Sequence, residues 1–260
     1  MSGPFITFLS DYGLEDDFVG VCHGVIAEIC PEATVIDLTH GIARGDVRSG
    51  ALILRNGLRF MPRGVHVAVV DPEVGSERRG VALRLADGRL LVGPDNGLLS
   101  LAADAGDGVV EAVDIGASPF ALQPVSATFH GRDIFAPVAA QLAGGAALAD
   151  AGAPVDPGAL VALELPRAHV VDGVLVAHVV YVDRFGNVQL DAEEPGFELS
   201  RIYEVAGAGA RYLRTFADAA AGELFLYEDS SRQLAVAVNG GDAAARLGLA
   251  VDDELRIRLP

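Results

Sequence analysis

The apolar pattern of this chain changes period once, and that change limits the fold more than any other feature. Up to about Leu148, short β-branched runs alternate with stretches of helical spacing; from His169 onward the period is two. Phe5 to Leu9 and Thr34 to Leu38 are strand-like runs. Between them the acidic cluster Glu15-Asp16-Asp17 suits a helix N-terminus, and Val21, Cys22, Val25, Ile26 and Ile29 recur at helical spacing. Strand, helix and strand make a βαβ unit with parallel strands. A second helix is predicted over Asp46 to Leu58, with Val47, Ala51, Leu54 and Leu58 on one face, followed by a strand from Val65 to Val70 that runs into Asp71-Pro72. Val81 to Leu85 and Leu90 to Val92 flank Asp87-Gly88, a favoured hairpin turn, so the sheet is mixed. Pro137 to Leu148 reads as the last helix of this half.

Beyond it the chain is rich in Ala, Gly and Pro through Gly158, which marks a boundary. The expected division is an N-terminal domain over 1–152, a linker over 153–167 and a C-terminal domain over 168–260. Strands are predicted there at His169–Val171, Val174–Val182, Val188–Leu190, Arg211–Phe216, Glu223–Tyr227, Gln233–Val238 and Glu254–Leu259, with turns such as Asp172-Gly173 between them. The fold class is therefore α/β with a mixed, largely parallel sheet, joined to an all-β sandwich or small barrel. No internal repeat interrupts this order.

Composition then removes whole classes of function. With 19 basic and 36 acidic residues the net charge is −17, which argues against a nucleic-acid or anionic-membrane partner and suits a cationic or small polar ligand. Every basic residue is arginine; without a lysine there is no Schiff-base, pyridoxal or P-loop chemistry. Cys22 and Cys30 form no metal or redox spacing and read as buried thiols. The N-terminal residues lack the basic and long apolar regions of a signal peptide, and no apolar run is long enough to span a bilayer, so a cytoplasmic protein is expected.

In open α/β sheets ligands sit beyond the carboxyl ends of the strands, which singles out Asp11 and Asp71. Either is also an acceptable turn-forming or capping aspartate. The segment from Asp71 to Arg79 places a carboxylate, a Gly-containing loop and two guanidinium groups close together, fit either for a bidentate ion pair in a pocket or for a solvated hairpin. Gly93-Pro94-Asp95-Asn96-Gly97 could serve as a phosphate or ribose loop, but Asp-Asn-Gly after Pro is ordinary turn chemistry, and the turn is the favoured reading. Thr128-Phe129-His130-Gly131-Arg132-Asp133 is the most unusual string: His130 is either a general base with orienting partners or a residue packed on Phe129 beside an Asp133 N-cap. His23, His169 and His178 read as structural. The six histidines show no recognised metal spacing, so no metal and no cofactor are expected.

Taken in order, Phe8-Leu9-Ser10-Asp11-Tyr12-Gly13 with Asp16-Asp17, Asp71-Pro72 through Arg78, Gly93 to Leu98, Thr128 to Pro137, Asp183-Arg184-Phe185-Gly186-Asn187, and Val236 to Gly240 resemble the S-adenosyl-L-methionine hydrolases, also called hydroxide adenosyltransferases, relatives of the fluorinating and chlorinating adenosyl enzymes. The resemblance spans nearly the whole chain. It implies a C-terminal β-barrel and a homotrimer with its sites between subunits. It also implies the reaction: S-adenosylmethionine, as substrate, and water give adenosine and L-methionine by displacement at the ribose C5′. Asp71, Arg78 and His130 match the set that holds the water, and Asp11 the ribose-binding aspartate. Asp183 and Asn187 match positions contacting the methionine end and the adenine, with Phe185 nearby; Ser230, Val238 and Gly240 match the remaining pocket segment. Because Tyr227 to Arg232 departs from the family pattern, Ser230 and Ser231 are interchangeable candidates.

Glu73 stands where the hydrolases carry glycine, either perturbing His130 or facing solvent. Two other readings compete. Halogenation is disfavoured because the halogenating relatives carry tyrosine at the position of His130 and an aromatic residue at that of Asp71, and a carboxylate repels a halide. A nucleoside-binding protein without turnover would not need the complete Asp71, Arg78 and His130 set.

Overall fold

Strands buried on both faces need apolar side chains on both, and this is what Phe5 to Leu9 and Val65 to Val70 supply. In the computed structural model, which describes residues 3–193 and 196–260, the chain divides into two units, Met1–Leu163 and Glu164–Pro260.

In the first unit β1 (Phe5–Ser10) lies between β2 (Thr34–Thr39) and β3 (Val65–Val69), parallel to both. The sheet continues through β5 (Leu90–Pro94), parallel to β3, and then antiparallel through β4 (Gly80–Leu85), β6 (Val109–Asp114) and the two-residue β7 (Ala153–Pro154). The mixed, largely parallel core with its β4–β5 hairpin matches the sequence reading. Side chains alternate across the sheet: Ile6, Phe8, Val65, Val67 and Val69 pack with α1 (Phe18–Ile29) and α4 (Ala136–Ala143). Leu9, Ala68 and Val70 face α2 (Val47–Leu58) and α3 (Ser100–Ala105) instead. Each fully buried Leu, Ile or Phe contributes roughly 1.5–3 kcal/mol, so these two apolar layers dominate the unit's stability. Asp46 caps α2 by accepting from Ser49 N at 3.0 Å.

The helix expected over Pro137 to Leu148 begins and ends earlier. A π-helical turn, Gly131–Phe135, runs directly into α4, which stops at Ala143 before the Gly144-Gly145 pair. Pro137, in the first turn of α4, has no N–H to give the Asp133 carbonyl, and that carbonyl accepts from Leu122 N at 2.8 Å instead. Of the stretch read as a linker, Leu160 and Leu163 pack against the first unit's core, and Val161 N donates to Asp95 Oδ1 at 2.9 Å.

The second unit is one eight-stranded sheet in the order β11 (Ile202–Val205), β12 (Ala208–Tyr212), β13 (Leu224–Glu228), β14 (Leu234–Val238), β10 (Val188–Leu190), β9 (Val174–Val182), β15 (Glu254–Arg258), with β8 (His169–Val171) also on β9. The end strands β11 and β15 approach each other, so the sheet curls toward a barrel around Leu175, Val188, Leu226 and Val236. The unit is not purely β. Asp242 accepts from Ala245 N at 2.8 Å and Gly248 adopts φ +66°, bounding a short helix, α5 (Ala243–Leu247). Among the described residues, no helix is long and apolar enough to cross a membrane.

Candidate functional site

The chain order of the first sheet reverses at β1, which has β2 on one side and β3 on the other, and a crevice opens beyond their carboxyl ends. Asp11 follows β1 and Asp71 follows β3. Both line one cavity, together with Tyr12, Phe129, His130 and Gly131.

Asp71, Arg78 and His130 are in direct contact. Arg78 Nε donates to Asp71 Oδ1 at 2.9 Å and its Nη2 donates to Oδ2, a bidentate pair. The Arg78 and Asp71 side chains are only 7% and 5% exposed, so this pair is held away from water. The same Nη2 reaches His130 Nδ1 at 2.8 Å. Guanidinium has donors only, so Nδ1 accepts and the imidazole proton sits on Nε2. Arg78, rather than Asp71, thus orients the imidazole, and the Phe135 ring lies 5.5 Å from the guanidinium carbon beneath it. Burial, followed by the Arg78 charge, lowers the His130 pKa from its ordinary value of 6.5 against the opposing pull of Asp71 and Asp133, so the ring is neutral at neutral pH. Glu73 is exposed and is not among the charges acting on His130.

Local sequence explains why these side chains stay in place. Asp133, expected as a possible N-cap, lies inside the π-turn and accepts from Ser126 N at 2.8 Å, anchoring the loop that carries His130. Gly131 is required by contact: a Cβ there would stand 2.0 Å from the Tyr12 hydroxyl oxygen. Asp11 Oδ2 accepts from Gly45 N at 2.8 Å, which fixes the carboxylate plane. Arg79 turns away to Asp95, donating from Nε at 2.9 Å and from Nη2 at 2.7 Å, so adjacent arginines serve different ends. Asp95 is thereby a structural turn residue.

Tyr12, Phe18 and Phe129 form a mutual aromatic cluster at the cavity, with centroid separations of 5.2–6.0 Å. Sequence alone assigns Tyr12 and Phe18 no role and Phe129 only that of packing against His130; an aromatic residue directly after a strand-end aspartate is the signal that points to Tyr12. Burial pushes the Tyr12 pKa well above 10, so it remains a protonated phenol. Cys22 and Cys30 are buried, and burial pushes the Cys22 thiol up to about 12.

In the second unit, Asp183, Phe185 and Asn187 share one loop. Asp183 Oδ1 accepts from Phe185 N at 2.8 Å and Asn187 N at 2.9 Å, and Oδ2 from Asn187 Nδ2 at 2.8 Å. Phe185 is 66% exposed. Val238, buried at the end of β14, and Gly240, at φ +75°, lie at the same end of the sheet as this loop. Ser230 and Ser231 occupy the β13–β14 turn at the other end, where Asp229 Oδ1 accepts from Ser231 N at 2.7 Å. At ~3.3 Å per residue the two ends of β14, Leu234 and Val238, are roughly 13 Å apart.

A family model described as the SAM hydroxide adenosyltransferase N-terminal domain matches residues 6–152, and the corresponding C-terminal domain model matches residues 177–256. The chain is 52% identical over 255 residues to an "(R)-S-adenosyl-L-methionine hydrolase" of Salinispora tropica, covering 98% of this chain and 97% of that one. A "Fluorinase" of Actinoplanes sp. is 29% identical over 277 residues, covering 93% of each. Among solved structures, an uncharacterized conserved protein from Thermotoga maritima superposes with a TM-score of 0.90 at 33% identity, covering 97% of this chain and 99% of that one.

Proposed function

Because this chain belongs to the SAM hydroxide adenosyltransferase family, we propose that it hydrolyses S-adenosyl-L-methionine to adenosine and L-methionine, with Asp71, Arg78 and His130 holding the attacking water. The observation that supports this most directly is the Asp71–Arg78–His130 chain, its ion pair held away from water, at the cavity that Asp11 also lines.

In this reading the water oxygen bonds to ribose C5′ as the C5′–S bond breaks, and the bonding pair leaves on sulfur as the neutral thioether of methionine. A sulfonium needs no acid to depart, so the task is to present the nucleophile. Asp71 takes the water proton through a lone pair not used by Arg78, and His130 Nε2–H donates to the oxygen, holding it in line and stabilising the hydroxide character that loss of the proton gives it. Arg78 locks both partners before substrate arrives. Holding oxygen, carbon and sulfur in line can itself lower the barrier by roughly 7–11 kcal/mol. Asp11 accepts from the ribose hydroxyls. Asp183, Phe185, Asn187, Ser230, Ser231, Val238 and Gly240 would receive the adenine and methionine ends. A homotrimer with each site completed by a neighbouring subunit, an (R)-configured sulfonium, no cofactor and a cytoplasmic location complete the proposal.

The test is chromatography of the full chain incubated with S-adenosylmethionine, with and without chloride and EDTA. Equal amounts of adenosine and methionine, unchanged by either addition, are expected. 5′-Chloroadenosine would replace hydrolysis with halogenation. Substrate that protects the protein against heat but is not consumed would leave a binding protein.

A further inference from the structure

We propose that His23, Asp37 and His40 form a binding site for a divalent first-row transition-metal cation, outside the set that holds the water. His23 lies on α1, Asp37 near the end of β2 and His40 in the bend that follows. Three elements of the first unit therefore converge on one point. His23 Nε2 lies 2.8 Å and His40 Nε2 3.0 Å from the same oxygen, Asp37 Oδ1, and all three ligand atoms fall within 4.8 Å of one another.

The local backbone is shaped for this. Residues three apart in a regular strand face opposite sides of the sheet, so Asp37 and His40 would diverge. The β1–β2 register slips between Phe8 and Leu9, which pair with Asp37 and Thr39, leaving Leu38 as an extra residue. Such a bulge re-aims side chains, and together with the bend it brings Asp37 and His40 to one side.

His40 supplies the observation that points to a ligand. The residue is only 4% exposed, and its Nε2 is buried with no hydrogen-bond partner, since the approach to Asp37 Oδ1 is off the hydrogen-bonding direction. Its Nδ1 lies 2.7 Å from Ser10 Oγ. When Nδ1–H donates to that hydroxyl, Nε2 is left with an unshared lone pair beside Asp37 Oδ1, and fixing one imidazole nitrogen in this way is how metal-bound histidines present the other. His23 and Asp37 side chains are 36% and 39% exposed, so solvent can reach the remaining coordination positions.

Two imidazole nitrogens and one carboxylate oxygen suit zinc, nickel, cobalt or iron, whereas calcium and magnesium take oxygen sets. The bond lengths of such sites, about 2.0–2.2 Å, require the two nitrogens to draw together, which the half-exposed His23 ring can do by rotation. The site adjoins functional chain: Ser10 precedes Asp11, and Gly13 N donates to the His40 carbonyl at 2.8 Å. A bound cation would tie α1 and β2 to the strand end that carries Asp11.

The experiment is titration of the EDTA-stripped full chain with Co²⁺ and Zn²⁺, followed by absorbance and thermal unfolding. One Co²⁺ per chain, a d–d spectrum displaced by Zn²⁺, and a Zn²⁺-dependent rise in Tm are expected. His23→Ala and Asp37→Ala, both at half-exposed positions, should each weaken binding at least tenfold and remove that rise. Absence of a saturable Co²⁺ spectrum in the unaltered protein would reduce the cluster to a carboxylate bridging two histidines and overturn the proposal; binding undiminished in both variants would also overturn it.

Discussion

Asp71 and Asp183 are both aspartates placed close after strand ends, and both have two occupied oxygens, yet they are held in different ways. Asp183 is satisfied by donors two and four residues ahead of it, so its carboxylate organises its own loop. Asp71 is held by the guanidinium of Arg78, which also grips His130, 52 residues from Arg78 in sequence. The first arrangement would form in a short peptide turn. The second exists only when β3, the segment before β4 and the loop before α4 are assembled, and it concentrates charge where water is scarce. A carboxylate that shapes a loop contributes position, whereas one that shares a cation with an imidazole can alter chemistry.

The largest effect that follows from this contrast is in turnover. His130→Ala should lower kcat by roughly 10²–10³, the range for removing one positioned hydrogen-bond donor, while KM changes far less. Asp71→Ala should behave in the same way. Parallel losses in kcat and affinity would mean that the two residues only bind substrate, and the distinction from Asp183 would disappear.

A smaller effect is expected in pH dependence. Because burial and Arg78 lower the His130 pKa, the neutral ring persists below its ordinary 6.5, and kcat/KM should stay level at neutral pH and fall only on the acid side of 6.5. Asp71 acts in the opposite direction by raising that pKa, so Asp71→Asn should move the His130 imidazole titration, followed by NMR, further toward acid. A titration that moved upward would show that Arg78 loses its hold on Nδ1 once the carboxylate is gone.

How much of this could be read from sequence depends on the range of the interactions. The strands of the first unit were legible because apolar residues on both faces leave continuous runs, and Asp71 with Arg78 because both lie on one short loop. Choosing Arg78 over Arg79 rested on the family motif; only the fold shows Arg79 committed to Asp95. The π-turn was invisible because a single turn closed by Ala136 N–H on the Gly131 carbonyl is too short to leave a period of its own in the sequence. The short α3, α5 and β11 carry too few periodic positions to stand out. His23, Asp37 and His40, at spacings of fourteen and three, match no linear metal pattern and meet only through a bulge and helix packing.

The smallest effect belongs to the loop that holds itself. Asp183→Ala removes three hydrogen bonds that set the path of Phe185 and Asn187, but none of them lies in the chain that holds the water. The expected result is a KM raised roughly tenfold, equivalent to ~1.4 kcal/mol, with kcat within about twofold of the original. Phe185→Ala should leave stability within ±0.5 kcal/mol, because the ring is already exposed and its nearest cation, Arg184, sits beside it in sequence. Its effect should appear only as a several-fold rise in KM, since an exposed aromatic ring gains by covering a substrate what it does not gain by folding. If Phe185→Ala instead lowered kcat as strongly as His130→Ala, the loop would be reaching the reacting atoms, and locally satisfied aspartates would have to be read as carrying chemistry after all.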